Sequence, residues 1–102
     1  MTMTAKERAE LRAECNRLRP TVHVGAEGLS SALTEALDDA LRTRELVKVQ
    51  LNQSVEVTAK DAARQLAGRV KAEVIQTIGK TATFYRKNPQ LKRKSGLPPW
   101  RV

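Results

Sequence analysis

Two glycines three residues apart are the positions of this chain best suited to holding a ligand. Gly25-Ala26-Glu27-Gly28 follows the β-like run Thr21-Val22-His23-Val24 and feeds into a helix that Ser30 or Ser31 can cap. Glycine lets the backbone turn sharply and approach a ligand with no Cβ in the way. The helix start beyond the loop adds unpaired amides and the positive end of its dipole, which together favour a phosphate. Glu27 works against this locally, because a carboxylate repels a phosphate, whereas a contact through backbone amides survives. The loop is not a Walker A, since no Gly-Lys-Ser/Thr follows at the required spacing. Gly79-Lys80-Thr81 lacks a glycine at the right distance before it and reads as a hairpin turn with an exposed lysine.

No other residues assemble into a reaction centre. His23 and Cys15 are the sole histidine and the sole cysteine, so a metal site or a Cys–His nucleophile pair lacks its remaining members. Asp38-Asp39 diverge by about 100° on a helix and form a solvated face, not an acid/base pair. The sequence therefore predicts a binding protein and no enzyme, with no metal and no cofactor. Gly-x-x-Gly loops of this kind clamp nucleic-acid backbone in KH domains.

Charge points the same way. The 102 residues carry a formal net charge of +8, and all eleven acidic residues lie at or before Glu73. Up to that residue the balance is only +1, while the last 29 residues hold seven basic groups and no acid. A positive end of this kind fits attraction to a polyanion, nucleic acid or an anionic membrane surface. No apolar run is long enough to span a membrane, and the first residues lack the apolar stretch of a secretory signal. With a single cysteine and no internal disulfide possible, a reducing, cytoplasmic setting is expected.

The elements that must position the glycine loop are legible from caps and periodicity. Thr4-Ala5-Lys6-Glu7 is a capping box, and the helix after it places Leu11, Cys15 and Leu18 on one face before Pro20 ends it. The second helix buries Leu33, Leu37, Ala40 and Leu41, and Glu45 closes it. Leu46–Leu51 reads as a strand with Val47, Val49 and Leu51 on one face. Asn52 to Val57 connects to a third helix, capped at Thr58 and burying Ala63, Leu66, Ala67 and Val70. Val74–Ile78 and Thr81–Tyr85 are two strands joined by Gly79-Lys80. Phe84 and Tyr85 fall on opposite faces of the last strand, so one belongs to the core. Beyond Arg86 the pattern stops, and Pro and Lys predict a weakly ordered tail. The order α-β-α-β-α-β-β gives one α/β domain with a mixed four-stranded sheet packed with helices.

Three separated blocks, in this order, resemble a known family. They are Leu18 through Leu29, which includes the glycine loop, then Glu45-Leu46-Val47-Lys48-Val49, then Val74 through Thr81 continuing to Phe84-Tyr85-Arg86. Together they resemble the CRM domain, the RNA-binding module of the bacterial YhbY proteins and of plant organelle splicing factors. The resemblance covers roughly residues 4 to 87 and implies a fold similar to the C-terminal domain of translation initiation factor 3. It also implies ribosomal RNA in precursors of the large subunit as partner, and Gly25, Ala26, Glu27 and Gly28 as an RNA contact. Family members often carry a basic or amide residue between the glycines, and Ala26-Glu27 departs from that pattern.

The organisation expected is a CRM-like domain over residues 1–87 and a basic tail over 88–102, acting as a monomer. Arg17, Arg19, Lys48, Lys80, Arg86, Lys87, Lys92, Arg93 and Lys94 are the cations expected to attract RNA. The alternative is an assembly factor that docks on a ribosomal or other protein through its tail and Trp100. Phosphate contacts predict weak sequence preference and strong salt dependence.

Overall fold

The computed structural model describes residues 3–91 and 98–101. Local signals set the helix starts. At α1 (Ala5–Cys15) the Thr4 hydroxyl accepts from the Glu7 amide at 3.1 Å, and the Glu7 carboxylate accepts from the Thr4 amide at 3.3 Å. Ser30 caps α2 (Ser31–Arg44) through the Leu33 amide, and Thr58 caps α3 (Ala59–Val70) through the Asp61 amide, both at 3.1 Å. The strands are β1 (Pro20–Val24), β2 (Leu46–Leu51), β3 (Glu73–Ile78) and β4 (Thr81–Tyr85). Gly79 turns the last hairpin with φ of +56°, so that Ile78 pairs with Thr81.

The sheet runs β1-β2-β4-β3, with β1 parallel to β2 and the other pairs antiparallel. The element order and the mixed four-stranded sheet are those the sequence predicts. α2 is the crossover between the two parallel strands, so it runs back along β1 and carries its C-terminal end toward the start of that strand. One face of the sheet packs on α2 and α3 through an aliphatic core around Phe84, which is fully buried. Of the two aromatics on β4, Phe84 is the one in this core. In α3 the buried alanines are Ala59, Ala62 and Ala63, while Ala67, expected inside, is only partly covered.

The other face is covered over part of its area. Leu11 and Cys15 of α1 meet Leu46 and Ile75, with Tyr85 and Trp100 packed at the margin. Burial raises the Cys15 thiol above its ordinary 9.0, so it stays protonated and unreactive at neutral pH. Past α1, His23, Gln50, Thr81 and Ile78 form one row across this face by register, with His23 and Ile78 exposed. Ile78 is 57% exposed.

The chain beyond Arg86 is tied to the body in its described parts. The Asn88 amide donates to Glu45 at 2.7 Å, and the Asn88 side chain donates to the Arg42 carbonyl at 2.8 Å. Trp100, in a single 3-10 turn (Pro99–Arg101), meets Tyr85 edge-on with ring centroids 6.2 Å apart. A ring of this size has apolar area to bury wherever the chain can return to a gap.

Candidate nucleic-acid interface

Gly25 to Gly28 form one tight turn. The Gly28 amide donates to the Gly25 carbonyl at 3.0 Å, and the Ser30 amide then donates to the Gly28 carbonyl at 3.0 Å. Ala26 and Glu27 occupy the exposed crown. The two glycines do different work. Gly28 has φ of +69°, a conformation that disfavours any side chain, so the turn itself requires it. Gly25 does not have a positive φ, and a Cβ built on it would meet nothing within 4 Å. Neither backbone angle nor packing therefore demands glycine at position 25.

The turn closes one end of a groove of about 720 Å³ between β1 and α2. Thr21 and His23 line one wall. Ala32, Ala36 and Ala40 line the other, and Arg44 stands at the far end. Unlike α1 and α3, with Glu7 and Asp61, α2 has no acidic residue in its first turn. No carboxylate within the helix therefore competes for its N-terminal amides.

The cations proposed from sequence divide into three groups. Lys48 donates to the Cys15 carbonyl at 2.7 Å, so its ammonium closes the end of α1. Lys80 donates to the Val55 carbonyl at 3.0 Å. Arg86 donates to the Asp38 carboxylate at 2.7 Å, to the Val70 carbonyl at 2.8 Å and to the Asp38 carbonyl at 3.0 Å, linking β4 to α2 and α3. These three are engaged within the fold. Arg17, Arg19 and Lys87 are exposed, and no described residue accepts a side-chain bond from them. Arg17 and Arg19 flank the entry to β1, the groove end where Arg44 stands. Lys92, Arg93 and Lys94 lie outside the described residues.

Arg44 itself escaped the sequence reading. It is exposed and engages no described residue, and the signal for it is the spacing Ala32, Ala36, Ala40, Arg44. Four positions at intervals of four lie along one line of a helix. Among the described residues, no group of three or more His, Cys, Asp and Glu could hold a metal ion. No helix among them is long and apolar enough to cross a membrane.

A parallel βαβ unit with a glycine turn between its strand and helix, completed by a β-hairpin, defines a small α/β binding domain. The chain belongs to the CRS1/YhbY (CRM) domain family, whose profile matches residues 3–86. It is 31% identical over 91 residues to the probable RNA-binding protein YqeI of Bacillus subtilis, covering 89% of this chain and 95% of that one. It is 29% identical over 90 residues to the probable RNA-binding protein PA4753 of Pseudomonas aeruginosa, covering 88% and 86%. The solution structure of the hypothetical protein SAV1595 from Staphylococcus aureus superposes with a TM-score of 0.71 at 28% identity, covering 89% of this chain and 95% of that one.

Proposed function

We propose that this protein binds structured ribosomal RNA and assists assembly of the large ribosomal subunit. The observation that carries the reading is the glycine turn. Gly28 is required by its backbone angle, whereas Gly25 is bare for no reason internal to the fold and faces an open groove. The family assignment supports a binding module over an enzyme, and the names of the Bacillus and Pseudomonas relatives support RNA as the ligand. Attraction comes from the net charge of +8, delivered by Arg17, Arg19, Arg44 and Lys87, with Lys92, Arg93 and Lys94 adding to it. Lys48, Lys80 and Arg86 hold the scaffold that presents these groups. Trp100 packs on Tyr85 of its own chain, which weighs against the tail as an anchor for a protein partner.

A salt titration of binding to structured ribosomal RNA, with matched duplex DNA as competitor, tests the reading. Preference for RNA with a steep log–log salt slope is expected, and replacing Arg17, Arg19 and Arg44 together with alanine lowers the slope by roughly 2–3. Equal, weak binding to RNA and DNA would sink it. The assembly role is tested separately by co-sedimentation of the tagged protein with precursors of the large subunit; absence from those fractions removes that part alone.

A further inference from the structure

β1 is the end strand of the sheet, so the backbone groups on its outer side meet no other strand among the described residues. A row of such N–H and C=O groups is a template for hydrogen bonding. Here it looks into the groove that Thr21 and His23 share with α2. Across from it, Ala32, Ala36 and Ala40 present only methyl groups, and the next position on that line is Arg44. A flat ring fits against a methyl wall where a long side chain would otherwise fill the space. The groove thus brings together a wall for base faces, a strand edge for base edges and a guanidinium for the backbone.

We infer that this groove seats an unpaired stretch of RNA about four nucleotides long, the number a Gly-x-x-Gly loop clamps in KH domains, running from the glycine turn to Arg44. The inference rests on the RNA-binding reading above and narrows it to a loop or end within the folded RNA. A base-paired A-form helix keeps its bases stacked and its Watson–Crick edges paired, so no base face could reach the alanine wall. Five residues of β1 at about 3.3 Å each give an edge of roughly 17 Å. Charge favours nucleic acid over a peptide strand added to β1. Arg19 and Arg44 engage no described residue at one end of the groove. The acids nearest them along α2 are occupied, Asp38 and Asp39 by Arg86 and Arg42, and Glu45 by the Asn88 amide. Glu27 sits at the opposite end.

Fluorescence anisotropy on the full chain decides the point with three ligands: a labelled single-stranded RNA of about six nucleotides, a blunt RNA duplex of about 12 base pairs, and a strand-forming peptide of valine and threonine. Ala36→Leu fills the groove from an exposed helical position and should leave the thermal transition in place. It is expected to weaken the single strand about tenfold and leave the duplex unchanged, with Arg44→Ala weakening the single strand several-fold. The amide resonances of Thr21, His23 and Gly25 should shift with the single strand, and those of Gln76 and Ile78 on the other edge should not. Wild-type affinity of Ala36→Leu for the single strand, duplex binding alone, or tighter binding of the peptide would each overturn the inference. If neither RNA form binds, the RNA-binding reading fails with it.

Discussion

The two edges of the sheet are built in opposite ways. Along β3, Arg8 reaches from α1 to donate to the Val74 carbonyl at 3.1 Å and pairs with Glu73 at 3.1 Å. The register also shifts between Val74 and Gln76. A charged side chain on the edge and a bulge in the strand are two devices by which proteins stop one sheet from pairing with another. β1 carries Pro20 and a register shift at its start, but from Thr21 onward it opens on the groove. Two pairs of arginines differ in the same way. Arg8 and Arg86 are engaged on the β3–β4 side, while Arg19 and Arg44, beside β1, engage no described residue. Among the described residues, one edge is thus blocked, while the other opens on a groove beside guanidinium groups that no described residue engages.

The largest effect should come from the engaged side. Arg86→Ala leaves the Asp38 carboxylate and the Val70 carbonyl without a donor they now share, which costs roughly 2–3 kcal/mol in urea unfolding. A loss of RNA affinity without a loss of stability would move Arg86 from scaffold to interface. Arg8→Ala unguards β3. It costs about 1 kcal/mol, most of it from the Val74 bond because the ion pair is half exposed, and self-association should appear as protein concentration rises in sedimentation velocity. If that variant sediments like wild type throughout, the bulge alone protects the edge.

Gly28→Ala strains the turn by about 1 kcal/mol, visible as a lowered thermal transition. Gly25→Ala is the smallest change in stability and the sharpest test of the open edge. With no positive φ and nothing within 4 Å of the new Cβ, the fold should be unchanged or up to about 1 kcal/mol more stable, while RNA binding weakens. Unchanged affinity in both glycine variants would remove the turn from the interface.

Much of this architecture is legible in the sequence because it depends on neighbours. The caps at Thr4, Ser30 and Thr58 act across three residues, and the turn at Gly79 needs only its own backbone angle. The alternation in Val47, Val49 and Leu51 needs only the pleat of a strand. The glycine turn is legible for the same reason. Other features are not. Leu46 and Ile75 lie on the face opposite the main core and are covered by α1, with Trp100, 54 and 25 positions further on, packed at the margin. No local period announces such a contact.

Element order, helix starts, the position of the glycine turn and the excess of positive charge were all determined by the sequence alone, since each is a short-range or additive property. Which of the positive groups remain available was decided only by tertiary structure. Lys48, Lys80 and Arg86 look as free as Arg19 and Arg44 when read along the chain. Arg86 also reaches the Asp38 carboxylate, but the acceptors common to all three are main-chain carbonyls, at Cys15, Val55 and Val70, and every residue has a carbonyl. Only the fold brings a particular one within reach of a particular cation. The groove has the same origin, because a strand edge and a line of alanines become one surface only when the crossover lays α2 beside β1.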